Sequence, residues 1–206
     1  MEVFRNRKTL TDYIERNKEM GKTIGFAPTM GALHQGHLSL YHHAKQHNDL
    51  VIASIFVNPT QFNNPEDLVK YPRSIEKDIQ LLENSGNIDA VYIPEVSDIY
   101  PDGAVSRHYD FDGLEHEMEG SFRPGHFDGV GTVVEELLLQ VKPDNAYFGE
   151  KDFQQLAIIK KMVKNRNLPL KIHGVPIVRE ESGLAYSSRN ERLTTEQREA
   201  AAIINQ

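Results

Sequence analysis

Apolar positions along this chain switch repeatedly between two rhythms. Leu10, Tyr13 and Ile14 recur at helical spacing with Glu15, Arg16 and Lys18 outside them, predicting an amphipathic helix that stops near Gly21. Residues 23–27 form instead a short unbroken apolar run, the pattern of a strand covered on both faces. Leu38, Leu40, Tyr41 and Ala44 return to helical spacing and predict a helix from about Gly36 to His47. A second unbroken run, residues 51–57, reads as a buried parallel strand. Ile75, Ile79 and Leu82 then predict a helix ending at Gly86, and residues 90–93 a third strand. This βαβαβ order predicts an α/β fold with a doubly wound parallel sheet.

The pattern blurs from Pro94 to His126, where Tyr100-Pro101-Asp102-Gly103 reads as a turn and residues 105–111 as a short strand. That stretch reads as an insertion carrying the loop Gly120 to Phe127. Val130, Val133, Val134, Leu137 and Leu138 predict a helix over 128–141, and Ala146-Tyr147-Phe148 a further strand. Leu156, Ile159, Met162 and Val163 predict the next helix, with Lys160, Lys161, Lys164 and Arg166 mostly on its outer face. Residues 172–178 read as a last strand, and Thr194 or Thr195 as the cap of a final short helix.

The 206 residues carry a net charge of −7, which argues against a general nucleic-acid-binding surface while leaving room for a local basic pocket. There is no cysteine, so disulfides, thiolate catalysis and Cys-ligated zinc are excluded, in agreement with a cytoplasmic location. No apolar run approaches membrane-spanning length.

Candidate chemistry gathers where predicted strands end. Met30 to His37 follow the first strand, with His34 and His37 at a helix start and small residues Gly31, Ala32 and Gly36 that allow close approach of a ligand. A helix N-terminus with free N–H groups suits an anion such as the phosphates of ATP. The alternative is a zinc pair supported by His42, His43 and His47, although no third ligand stands at zinc spacing beside it. Gln61 lies after the 51–57 run among Asn58, Asn63 and Asn64, either an ordinary turn or an amide that holds a substrate bearing hydroxyl and carboxylate. Lys151, in Gly149-Glu150-Lys151-Asp152, would meet phosphate as a point charge, while Asp152 with Gln155 also fits a capping box. Ser187, Ser188, Arg189 and Asn190 read as a polar turn or a clamp over a triphosphate, and Arg123 and His126 as anion ligands or turn packing. No P-loop and no Gly-x-Gly-x-x-Gly after a strand is present, which disfavours Walker-type NTPases and dinucleotide dehydrogenases.

Five blocks in order closely resemble the pantoate–β-alanine ligase (pantothenate synthetase) family. They are Pro28-Thr29-Met30-Gly31-Ala32-Leu33-His34-Gln35-Gly36-His37, Ile55 to Phe62, Arg123-Pro124-Gly125-His126-Phe127, Phe148 to Gln155, and Ser187-Ser188-Arg189-Asn190. The resemblance spans about residues 23–193 and implies a Rossmann-like nucleotidyltransferase domain of the His-x-Gly-His type. It implies attack of the pantoate carboxylate on the α-phosphate of Mg2+-bound ATP, giving pantoyl adenylate and pyrophosphate, then displacement of AMP by the amine of β-alanine. By the same resemblance His34 and His37 hydrogen-bond the phosphates, with His37 the proton donor, and Lys151 supports the reacting phosphate. Met30, Gly31, Ala32, Leu33, His34, Gln35, Gly36 and His37 would contact ATP. So would Gly149, Glu150, Lys151, Asp152, Val178, Tyr186, Ser187, Ser188 and Arg189. Gln61 and Gln155 would hold pantoate, Gln61 also touching β-alanine, and magnesium would ride on phosphate oxygens without a protein ligand. A homodimer is a further implication.

Two positions depart from the family pattern. Glu136 stands where a basic residue is usual, and Tyr186 where Met or Lys is commoner; a backbone contact at 186 would preserve adenine binding. The family is expected to run longer, so residues 1–190 are read as the catalytic domain and 191–206 as the start of a C-terminal region whose lid domain is missing. A lid protects an acyl adenylate from water, so this stretch alone is expected to show weak or leaky activity. The competing readings are a silent ATP-binding or dimerisation module, a zinc hydrolase, and a related nucleotidyltransferase with another acceptor.

Overall fold

The computed structural model describes residues 1–203. Six parallel strands make one sheet: β1 (Glu2–Phe4), β2 (Ile24–Thr29), β3 (Leu50–Ile55), β4 (Ala90–Tyr92), β5 (Asn145–Gly149) and β6 (Lys171–Val175). Their spatial order is β1-β4-β3-β2-β5-β6, every pairing parallel. Nine helices connect or flank the described strands: α1 (Arg7–Glu19), α2 (Gln35–Lys45), α3 (Pro65–Lys70), α4 (Ile75–Ser85), α5 (Val96–Ile99), α6 (Met118–Phe122), α7 (His126–Val141), α8 (Phe153–Asn165) and α9 (Thr195–Ala202).

The unbroken apolar runs follow from burial on both faces. Successive residues of β3 point alternately to the two sides, so Leu50 and Ile52 join one core and Val51, Ala53 and Ile55 the other. The first core packs α1, α7 and α8 on the sheet through residues such as Leu10, Ile14, Leu138 and Ile159. The second packs α2 and α4 through Leu40, Tyr41, Ala44 and Leu82. Each large apolar side chain fully buried here contributes about 1.5–3 kcal/mol relative to exposure.

From β2 the chain builds outward through β3 and β4 on one side, then crosses back to lay β5 and β6 on the other. The loops leaving the carboxyl ends of β2 and β5 therefore diverge and open a crevice between them, where open α/β sheets bind ligands.

Several expectations change. A strand precedes the one expected first: β1 is three residues long and pairs only with β4, too short to write a periodic pattern. Residues 105–111 form no strand. Tyr109 and Phe111 are buried against α7 instead, their rings stacked at 5.5 Å over Gly131, so helix packing satisfies the alternation that suggested pairing. The last strand stops at Val175, because the 176–178 stretch leaves the sheet. The long helix starts at His126 rather than 128. Asp152 makes no capping hydrogen bond, since a 3-10 turn over Glu150–Asp152 precedes α8 and turns its carboxylate toward Lys151. The final helix is capped by Thr194 with Gln197 completing a capping box, while 204–206 lie outside the described residues.

Candidate active site

A cleft of about 400 Å³ opens at the crevice between β2 and β5. Its first wall is the turn after β2. Gly31 and Ala32 both take left-handed backbone angles, φ 87° and 50°. For the non-glycine Ala32 that conformation costs roughly 1–2 kcal/mol and needs outside support. The buried carboxylate of Asp78 on α4 supplies it, Oδ2 accepting from the Ala32 N–H at 2.9 Å and Oδ1 from the Leu33 N–H at 2.8 Å. Ser188 Oγ donates to the Ala32 carbonyl at 3.0 Å, which ties the distant Ser187–Asn190 segment to the same peptide.

His34 caps α2, its Nδ1 accepting from the Gly36 N–H at 3.1 Å, and His37 Nδ1 accepts from the His34 N–H at 3.3 Å. A nitrogen that accepts carries the lone pair, so in the neutral rings the proton sits on Nε2. The rings stack at 3.9 Å. Burial first, and then the Lys151 charge, lower the His34 pKa to about 4. Burial, His34 and Lys151 push His37 well below its ordinary value. The result is two neutral imidazoles, each with an Nε2–H donor for an anion. Gly36 makes the fold-over possible, since a Cβ there would lie 3.0 Å from His34 ring atoms and 3.3 Å from Tyr186 Cβ.

This arrangement corrects the expectation of free backbone donors. The amides of Ala32, Leu33, His34, Gly36 and His37 already have partners within the chain. Of the amides from Ala32 to His37 that leaves the Gln35 N–H, so most of what this turn offers an anion is side-chain N–H. The Nδ1 atoms are likewise engaged, and among the described residues no group of three or more His, Asp or Glu could hold a metal ion. His42 and His47 are exposed on the outside of the helix and its end, and His43 is half-buried there.

Lys151 and Asp152 line the opposite wall, their charges 3.1 Å apart and well exposed. Such a pair is worth about 0–1 kcal/mol, so the ammonium can be handed to a phosphate at little cost. Behind them Val178, Tyr186, Ser187, Ser188 and Arg189 complete the rim, with the Tyr186 ring stacked 5.9 Å from His34 and its N–H donating to Val178. Arg189 is paired with Asp67 at 2.9 Å and lies 5.8 Å above the Tyr71 ring.

The third wall holds the amides. Gln61 is buried; its Oε1 accepts from Asn58 Nδ2 at 3.1 Å, leaving Nε2 as the donor, 3.0 Å from Met30 Sδ. Asn58 is fixed in turn by Tyr100 and by the Gly129 carbonyl at 3.1 Å. Both Arg123 and His126 donate to the Gln61 main-chain carbonyl, at 3.3 and 2.8 Å, so they brace the turn while also lining the cleft. Gln155 is half-buried on the same cleft, while its buried neighbour Gln154 is spent on the backbone of Leu114, Glu117 and Glu119. Val130, Val133, Val134 and Leu137 of α7 give the floor an apolar side.

Among the residues expected to contact ATP, Met30, His34, Gly36, His37, Gly149, Lys151, Asp152, Val178 and 186–189 line the cleft. Gly31, Ala32 and Leu33 lie buried beneath it, Gln35 faces outward, and Glu150 turns toward Gly174. Asp78 and Asn58 went unread as site residues. The signal for Asp78 was an acid on the apolar stripe of Ile75, Ile79 and Leu82; for Asn58 it was Asn-Pro at a strand end.

Comparison with known proteins places this arrangement. The family model "Pantoate-beta-alanine ligase" matches residues 2–206. The pantothenate synthetase of Christiangramia forsetii is 56% identical over 99% of this chain and 72% of its own length, and that of Aquifex aeolicus 50% identical over 98% and 71%. The crystal structure of the Thermus thermophilus pantothenate synthetase superposes with a TM-score of 0.92 at 44% identity, covering all of this chain and 72% of that one. The Francisella tularensis pantoate-beta-alanine ligase, complexed with "Beta-gamma ATP" and β-alanine, superposes at 0.94 with 46% identity over all of this chain and 78% of that one. This chain belongs to the pantoate-beta-alanine ligase family.

Proposed function

We propose that this chain condenses pantoate with β-alanine to pantothenate at the expense of ATP, through pantoyl adenylate, releasing AMP and pyrophosphate. The observation that carries the reading is the convergence of the His34–His37 turn, Lys151, Gln61, Gln155 and the Ser187–Arg189 rim on one cleft at the switch point of the sheet. The ligase activity, its two substrates and ATP follow from membership of the family and from the relative complexed with ATP and β-alanine.

The residues divide the work by chemistry. Nε2–H groups of His34 and His37 hydrogen-bond phosphate oxygens, His37 acting as a neutral hydrogen-bond donor rather than as an acid, and Lys151 releases Asp152 to meet the reacting phosphate. Gln61 Nε2 and Gln155 hold the carboxylate and hydroxyls of pantoate, whose gem-dimethyl carbon fits the Val130–Val134 wall. A carboxylate oxygen of pantoate then forms a bond to the α-phosphorus as the bond to pyrophosphate breaks. The neutral amine of β-alanine subsequently forms the amide as the acyl–phosphate bond breaks, AMP leaving and the amine's surplus proton passing to solvent. Such displacements need positioning and charge stabilisation more than covalent help from the protein. Among the described residues no cluster could cage a metal ion, so Mg2+ would enter with the ATP phosphates and waters as its ligands and would supply charge neutralisation there. We also propose a cytoplasmic homodimer, and residues 1–190 as the catalytic unit.

Pyrophosphate release from Mg2+-ATP, with and without pantoate and with no β-alanine, tests the reading. Pantoate-dependent release that His37→Ala lowers by orders of magnitude, while leaving a measurable residue, is expected. Binding of ATP without any pantoate-dependent release would refute the adenylation half-reaction for this chain.

A further inference from the structure

Asp78 is a buried acid that the chemistry above does not use. It sits at 3% exposure on α4, whose first turn lies under the β2 turn. No cation is among the groups that act on it; the amides of Ala32 and Leu33 bond it, the carboxylate of Glu191 acts at longer range, and the phenols of Tyr41 and Tyr71 lie within its field. Burying a carboxylate without a counter-charge is expensive unless hydrogen bonds hold it, and Asp78 has both oxygens on consecutive backbone N–H groups. Those two N–H groups belong to the left-handed Gly31–Ala32 turn, and the next residue is the cap of α2, His34. A Cβ on Gly31 would come within 3.0 Å of Asp78 Oδ2, so turn and acid fit closely. The Ala32 carbonyl is held from the other side by Ser188.

From this geometry we infer that Asp78 is a positioning residue for adenylation, setting the His34 and His37 donors through the Ala32–Leu33 peptides and never touching substrate. The inference rests on the reading of His34 and His37 as phosphate ligands. Its reach is limited to that turn: Lys151 and Gln61 hang on other elements and should keep their places.

Asp78→Asn keeps the size but turns an NH2 group toward one of the two amides. The test measures pantoate-dependent pyrophosphate release for wild type, Asp78→Asn, His37→Ala and the double variant, with amide hydrogen exchange at Ala32 and Leu33 in the wild-type protein. A misplacement near 1 Å costs on the order of a hundredfold in rate. The expected result is a kcat lowered by ~10- to 100-fold with the KM for pantoate changed little, and no comparable further loss when Asp78→Asn is added to His37→Ala. Ala32 and Leu33 should be among the slowly exchanging amides of the native protein, a readout that does not depend on the variant folding. Free exchange at both would overturn the inference, as would an unimpaired Asp78→Asn enzyme or fully multiplicative losses in the double variant. Wild type without pantoate-dependent release would refute the functional reading itself, and the positioning role with it.

Discussion

Gly129→Ala offers a direct probe of how packing sets the substrate site. A Cβ at this position would lie 2.6 Å from the Thr60 carbonyl oxygen, 2.8 Å from its carbon and 2.9 Å from Gln61 Cα. All three atoms are backbone, so no side-chain rotation relieves the clash. Reaching ordinary contact at 3.4 Å requires the turn over Pro59–Gln61 to move by about 0.8 Å from α7. That movement stretches the Asn58 bond to the Gly129 carbonyl and the Arg123 and His126 bonds to Gln61. Overpacking of this kind costs about 1–3 kcal/mol. For a chain of this size 1 kcal/mol shifts the melting temperature by about 2–4 °C, so a fall of about 2–12 °C is expected. Gln61 is carried away with its backbone, so the KM for pantoate should rise on the order of tenfold. The KM for ATP should hold, since the His34–His37 turn rests on α2 and Asp78. The assay pairs thermal unfolding with steady-state pyrophosphate release, varying pantoate at saturating ATP. An unchanged melting temperature together with an unchanged KM for pantoate would refute the close packing of α7 on this turn.

Stability should also fall in acid for a reason located at the site. His34 and His37 are held neutral in the folded protein, at about 4 and well below ordinary, but titrate near 6.5 when unfolded. The unfolded chain then binds more protons, so their contribution is whole above pH 6.5 and declines as pH falls below it, for His34 down to about pH 4. Each such group contributes up to about 1.4 kcal/mol per pH unit in that window. Urea midpoints compared at pH 7 and pH 5 should drop less for His34→Ala than for wild type; equal drops would contradict the depressed His34 pKa. Removal of Mg2+ with a chelator should abolish pyrophosphate release and leave the melting curve of the ligand-free protein where it was, because no metal-holding cluster occurs among the described residues. A lowered melting temperature would point instead to an ion bound by the protein.

Much of this molecule was legible from one chain of letters. Alternating apolar rhythms identified β2 through β5 and the main helices, because a parallel strand buried on both faces must be continuously apolar and a helix on that sheet must be striped. The positions of the candidate residues at strand ends pointed to the sheet's carboxyl edge, and His34, Gly36, His37, Gln61, Lys151 and Ser188 do meet there. The sequence also carried the family resemblance that the comparisons then established.

What stayed hidden was set by contacts between distant segments. Tyr109 and Phe111 alternate like a strand, yet they pair with no strand and α7 takes them instead. Asp152 had the spacing of a cap, but a preceding 3-10 turn aimed it at Lys151. Whether Arg123 and His126 bind a ligand or brace a turn depended on where the Gln61 carbonyl lies, 62 and 65 residues away along the chain. The free amides expected at the start of α2 were consumed by His34, His37 and Asp78, the last of them 46 residues from Ala32. Local spacing determines which way a side chain faces on its own element. Only the assembled sheet decides what it faces, because hydrogen-bond partners and burial are properties of segments that meet in space.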